Sequence, residues 1–197
     1  MLGDLVLLWL AALPLMGSPG PATLSTAAVG ASFGPRRGLP YLAGIIAGTA
    51  GVLLLIATGV TAAILTVPAL ATAITLAAVA YILYLAWRIA TAPPLSKDNT
   101  EAKAPAFPGG FFLALANPKA FAAIGAVYAG HTVVAGDLAT DAVVKVAALC
   151  LVIVLVNSTW LVFGSMIAAL LHDPRKARLT NIAFALLLVA SVALALI

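Results

Sequence analysis

Lys119 stands about ten residues into an apolar run that extends from Gly109 to about His131. A lysine inside a membrane span costs at least about 2.5 to 3.5 kcal/mol on insertion scales. It either faces a cavity and pairs with an anion, such as a substrate carboxylate, or carries its ammonium along its stem to the nearer interface. Asn117 and Pro118 precede it, and an earlier apolar run is interrupted by Gly17-Ser18-Pro19-Gly20-Pro21. Proline removes a backbone donor and clashes with the preceding turn, so two prolines around Gly20 break a helix rather than bend it. In hydrocarbon the freed backbone groups cost several kcal/mol each unless something satisfies them, so a break survives only inside protein or beside a wet cavity. A half-helix that starts at Pro21 turns its positive end toward the break, which suits a carboxylate. The plainer alternative is a simple kink, and it weakens because a second break at Asn117-Pro118 holds the equivalent place in the other half of the chain. Asn157, with Ser158 and Thr159, adds polar groups near the middle of another apolar run. These either hydrogen-bond a solute or join helices.

The elements that carry these residues are membrane spans. Apolar residues make up 64% of the 197 positions and charged residues only 8%, whereas a soluble domain needs about a quarter charged residues to wet its surface. The mean hydropathy of +1.19 agrees. At about 20 apolar residues per span, the length predicts six helices with short loops and no separate soluble domain. The runs lie at about 4–32, 39–61, 69–88, 109–131, 141–171 and 179–197. The N-terminal run lacks the basic start of a signal peptide and is expected to remain in the mature protein. Arg36 and Arg37, then Arg88, Lys97 and Lys103, then Arg175, Lys176 and Arg178 fall in alternate connections, while the others offer only Lys145. By the positive-inside rule these three loops are cytoplasmic and both termini lie outside. The net charge of +4 follows from this bias, and nucleic acid is not expected as a partner.

Each break opens a block of three spans, and the two blocks enter the membrane from opposite sides. The expected fold is therefore an all-α integral membrane protein of six transmembrane helices. It forms an inverted repeat of 3+3, with helices 1 and 4 broken near the midplane. Residues 1–92 form the first repeat, 93–108 a proline-rich cytoplasmic linker and 109–197 the second repeat. Gly44, Gly48 and Gly51 give span two a small-residue face for close packing or dimerisation. Tyr81, Tyr84 and Trp87 suit an interfacial belt. His131 and His172 are expected near the interfaces. Cys150 is the single cysteine, which rules out a disulfide within the chain and a paired-cysteine redox site. No Asp or Glu lies deep in a span, so no metal set or buried proton relay is expected.

Four pieces in order resemble the LysE/RhtB family of bacterial amino-acid exporters. They are Ser18-Pro19-Gly20-Pro21, Gly34-Pro35-Arg36-Arg37-Gly38-Leu39, Ala80 through Arg88, and Phe111 through Ala120 with its Asn117-Pro118-Lys119. The resemblance implies a six-span exporter of amino acids or derivatives in the bacterial inner membrane, driven by the proton or membrane potential. Neither an enzymatic activity nor a cofactor is expected. Carried over as substrate-binding positions are Pro19, Gly20, Pro21, Asn117, Pro118 and Lys119. Many members of that family have an acid just after the glycine that matches Gly48, but here the residue is Thr49, and span five offers Asn157 rather than an acid. With one lysine and no acid, the site favours a neutral or anionic amino-acid-like solute over lysine or arginine. The alternatives are a divalent-cation exporter of the same superfamily, a redox carrier of related architecture, or a non-transporting membrane scaffold. The lipid bilayer surrounds the chain, and a homodimer is expected from the glycine face and the family.

Overall fold

The computed structural model describes residues 1–59, 68–91, 104–170 and 174–195. Outside these fall the end of the second expected span, most of the 93–108 linker with Lys97 and Lys103, the end of the fifth span with His172, and the last residues of the sixth. The described residues form helices α1 (Leu2–Gly17), α2 (Pro21–Phe33), α3 (Pro35–Ala57), α4 (Pro68–Ala90), α5 (Phe107–Leu115), α6 (Pro118–Gly130), α7 (Leu138–Leu170) and α8 (Pro174–Ala195).

Prolines set the boundaries that matter. A residue before proline is pushed out of the α region. Ser18, before Pro19, is extended at φ −65°, ψ 154° and ends α1. Gly20, before Pro21, is extended at φ −174°, ψ 178°, and Pro21 starts α2. Asn117, before Pro118, holds φ −81°, ψ 106° and caps α6 through its side chain. Pro21 and Pro118 occupy first-turn positions where a helix needs no amide donor. The axes bend by 63° between α1 and α2 and by 59° between α5 and α6. Both expected breaks are therefore present. Gly34, at φ 80°, supplies the left-handed residue that turns α2 into α3.

The exterior is strongly apolar, and the largely hydrophobic interior holds a set of buried polar groups. Every residue of α2 is buried, including Thr23, Ser25, Thr26 and Ser32. Leu10 on α1, Leu155 on α7 and Leu186 on α8 are each more than half exposed. That distribution suits lipid as the outer solvent and requires buried polar groups to pair. Pairs are present, from the Tyr41 hydroxyl to Ser25 at 3.0 Å and from the Ser32 hydroxyl to Asn181 Oδ1 at 3.1 Å. Glycines let backbones meet. A Cβ at Gly30 would strike the Leu161 carbonyl and one at Gly164 the Ala27 carbonyl, so α2 lies directly on α7. Likewise Gly44 and Gly48 of α3 receive the Phe107 and Phe111 carbonyls of α5. The glycine face is thus filled within the chain, which leaves it unavailable to a second copy at those two positions.

Helices α3 and α7 are each long and apolar enough to cross a membrane, and each bent pair passes as one broken span or re-entrant segment. Several expectations shift. Arg175, Lys176 and Arg178 lie in the first turns of α8 rather than in a loop, and α5 begins at Phe107, inside the expected linker. Tyr84 and Trp87 are exposed as a belt requires, but Tyr81 is half-buried with its hydroxyl against Gly109.

Candidate functional site

The first break leaves the last carbonyls of α1 and the first amides of α2 without helical partners. Thr23, in the first turn of α2, reaches back: its hydroxyl oxygen accepts from the Gly20 N–H at 2.9 Å. The indole N–H of Trp160, from α7, donates to the Gly17 carbonyl at 3.0 Å. The Lys119 ammonium donates to the Ser18 carbonyl. Lys119 sits in the first turn of the second broken half, so its side chain joins the two breaks. It is half-buried. Gly20 is the residue that admits it, because a Cβ there would press on the Lys119 stem and stand 3.0 Å from Nζ.

Beside this junction lies a cavity of about 40 Å³. Its polar wall is Gly20, Thr23, Thr49, Asn117, Lys119 and Asn157, and its apolar wall includes Met16, Ala123, Ile124, Ile153 and Val156. The structure therefore gathers Gly20, Thr49, Asn117, Lys119 and Asn157, from α3, α7 and both breaks. Pro19 and Pro118 are exposed and lie off the cavity, whereas Pro21 is buried as the first residue of α2. Thr49 donates to the Ile45 carbonyl at 2.8 Å, and Asn117 Oδ1 accepts the Lys119 N–H at 3.1 Å. Asn157 donates through Nδ2 to the Ile153 carbonyl at 2.8 Å, and its Oδ1 has no partner. Its neighbour Thr159 is exposed and bonds the Leu155 carbonyl at 2.8 Å, so the Asn157-Ser158-Thr159 cluster divides between two faces.

The electrostatics of the cavity are one-sided. Lys119 brings a cation, and α2 and α6 both begin at the site with the positive ends of their dipoles. Among the described residues no carboxylate pairs with Lys119. An anion fits this arrangement, and a cation meets no counter-charge in the cavity wall.

A second polar cluster surrounds Lys145, which lies within α7 rather than in a connection. Its ammonium pairs with Asp141 at 2.8 Å, with both side chains under 10% exposed. It also donates to the Tyr128 and His131 carbonyls at 3.0 and 3.1 Å, at the end of α6. Asp141 accepts the Val133 and Val134 amides at 2.6 and 2.9 Å. His131 places Nδ1 2.9 Å from the Val127 carbonyl. Nearby Asp137 caps the start of α7, where the Thr140 hydroxyl first, and then the Thr140 and Ala139 amides, hold its exposed carboxyl below the ordinary value.

Three polar contacts go beyond what the sequence analysis singles out. That of Thr23 is legible there: a threonine three residues after the Gly20 cap has the spacing of a side chain that reaches back to the cap amide. Trp160, three residues beyond Asn157, shares its helix face. The Asp141–Lys145 pair has the four-residue spacing of a helical ion pair.

An apolar exterior, polar groups buried within and two broken helices meeting at a cationic cavity define a multi-pass membrane protein of the transporter class. The chain belongs to the family of LysE type translocators, whose model matches residues 13–197. No curated protein and no solved structure matches it.

Proposed function

We propose that this LysE-family translocator is a secondary transporter that exports a small amino acid or derivative by alternating access. The observation that carries the proposal is the junction of the two broken helices. Each is opened by proline, and the two are joined through Lys119 beside one cavity. Broken half-helices whose positive ends face a polar cavity are how transporters hold an anionic group inside a membrane. The solute carboxylate binds Lys119 and the starts of α2 and α6. With no acid in the cavity wall, a neutral amino acid is favoured over lysine or arginine.

In this proposal α1–α2, α3, α4, α5–α6, α7 and α8 are six spans of an inverted 3+3 repeat. Residues 1–92 and 109–197 rock against each other about the site, joined by the 93–108 linker. The charged first turns of α8 and the exposed Arg36 and Arg37 then face the cytoplasm of a bacterial inner membrane, with both termini outside. If a homodimer forms, it uses a lipid-facing surface other than Gly44 and Gly48.

The test is export of a panel of labelled amino acids from cells overproducing the chain, with Pro21→Ala in parallel. One amino acid should leave faster, and Pro21→Ala should abolish the gain while still reaching the membrane. Metal tolerance that changes while no amino acid moves would overturn the proposal in favour of a cation exporter.

A further inference from the structure

On the proposed orientation, α2 and α5 are the broken halves that lead from the cavity to the cytoplasm, and α1 and α6 are those that lead outward. The two directions are packed differently. Toward the cytoplasm, backbone meets backbone across the boundary between the repeats. Gly30 of α2 takes the Leu161 carbonyl and Gly164 of α7 takes the Ala27 carbonyl, each so close that a Cβ would strike it. The second seam is α3 on α5, where Gly44 and Gly48 take the Phe107 and Phe111 carbonyls and Gly110 takes the Tyr41 carbonyl. All 13 residues of α2 are buried. Outward, side chains make the contact. The Trp9 indole of α1 donates to the Ala148 carbonyl of α7 at 3.2 Å, and a Cβ at Gly17 would stand an ordinary 3.7 Å from Val156. Gly125 of α6 has open space where a Cβ would be. In α6, the counterpart of α2 in the second repeat, the buried residues are Ala123, Ile124 and Val127.

Backbones fitted through glycine match in one relative position, so such a seam is either shut or parted. These seams are also built to part. The hydrogen bonds that cross between the repeats there are neutral. The Ser165 hydroxyl, bonded to Leu161 within α7, also reaches the Gly30 carbonyl at 3.2 Å, and Ser32 donates to Asn181 of α8 at 3.1 Å. Ser25 and Thr26 bond the Ala22 carbonyl within α2 itself, and Tyr41 bonds Ser25 within the first repeat. These hydroxyls keep their partners when α2 leaves α7 and α8, and they give the opened side a polar wall. The buried Asp141–Lys145 pair lies within the second repeat, so the same motion strands no charge. We infer that this structure is the state shut to the cytoplasm, that its gate is the pair of glycine seams α2–α7 and α3–α5, and that a cytoplasmic solute reaches the Lys119 cavity when they part. The inference rests on the reading of the chain as a transporter whose repeats rock about that cavity, and it adds where the rocking opens.

The test uses the full chain with Cys150→Ala, in inside-out membrane vesicles. In one arm Ser32→Cys and Asn181→Cys are joined by a short bis-methanethiosulfonate, which ties the two repeats together at the seam. Transport of the amino acid that leaves faster in the export panel should stop, and it should return when a reductant cuts the link. In the other arm Thr26→Cys, buried in α2, is labelled from the cytoplasmic face with a membrane-impermeant maleimide. Gly164→Ala, whose Cβ holds the seam apart, should speed labelling about fivefold to 150-fold, the range of an overpacked contact acting on a two-state equilibrium. Gly125→Ala, which meets nothing, should leave it unchanged. Full transport with the link in place, or labelling that Gly164→Ala does not alter, overturns the inference and leaves the exporter reading standing. If Gly164→Ala does not fold, the link alone decides. An unlinked cysteine pair and a wild type that both move no amino acid are a different result, seen before any link is made, and they overturn both.

Discussion

Lys119 and Lys145 are both lysines within helices, and both donate to carbonyls at the end of another helix. Lys119 meets the end of α1 at Ser18, and Lys145 meets the end of α6 at Tyr128 and His131. The difference is the counter-charge. Lys145 has Asp141 at 2.8 Å and is buried, so its charge is neutralised inside the protein. Lys119 donates to a neutral carbonyl, has a cavity beside it and pairs with no carboxylate among the described residues. A buried pair that is complete in itself is a structural pin. A cation held by one carbonyl at a polar cavity retains its capacity for an anion. Under the proposed function the same residue type serves two purposes in one bundle, and the partner decides which.

The comparison can be broken most severely at the pin. Lys145→Met strands the Asp141 carboxylate in the interior and should cost about 3–5 kcal/mol, read as the denaturation midpoint in detergent. Combining it with Asp141→Asn should cost less than the sum of the single changes, with a coupling of about 0.5–3 kcal/mol. Additive losses would mean that the two groups act separately. A smaller effect is expected beside Lys119. Trp160→Phe removes the indole donor to Gly17 and should cost about 0.5–1.5 kcal/mol, seen in the same melts. The smallest concerns Asp137, which unlike Asp141 is exposed. Its carboxyl lies below its ordinary value of 3.8 in the folded chain, so its support for the start of α7 is full above that value. It is lost as pH falls through the lower folded value. The protection of the Ala139 and Thr140 amides, taken as exchange relative to the intrinsic rate at each pH, should fall below about pH 4 and stay constant above it.

Much of this arrangement was legible from single residues. Proline acts through local sterics, so Pro19, Pro21 and Pro118 marked both breaks before any tertiary information. The scarcity of charge marked the lipid environment, and the depth of Lys119 marked it as unusual. What was not legible depends on contacts between distant segments. Nothing in the local sequence says that Lys119 reaches Ser18, about a hundred residues earlier, or that Gly20 is glycine to admit a lysine stem. The partner of the glycine face was equally hidden, since Gly44 and Gly48 match α5 of the same chain through backbone shape alone. The apolar wall of the cavity, including Ile124, Ile153 and Val156, is made of residues that look like any other in a chain this hydrophobic. The Asp141–Lys145 pair is readable by spacing, but Lys145 reads equally well as a loop charge that sets orientation.

The most direct test of the account concerns Lys119 as an anion receptor. The full chain is melted in lipid nanodiscs with and without a saturating amount of the amino acid that leaves faster in the export panel, as wild type and as Lys119→Met. A ligand that binds the folded state raises its stability, by about 2.7 kcal/mol at a hundredfold excess over its dissociation constant. Wild type should show that gain. Lys119→Met should melt within about 1.5 kcal/mol of wild type without solute, the range of one lost hydrogen bond, and show no gain when solute is added. An unaltered gain in Lys119→Met would contradict the account and leave Lys119, like Lys145, a pin between helices.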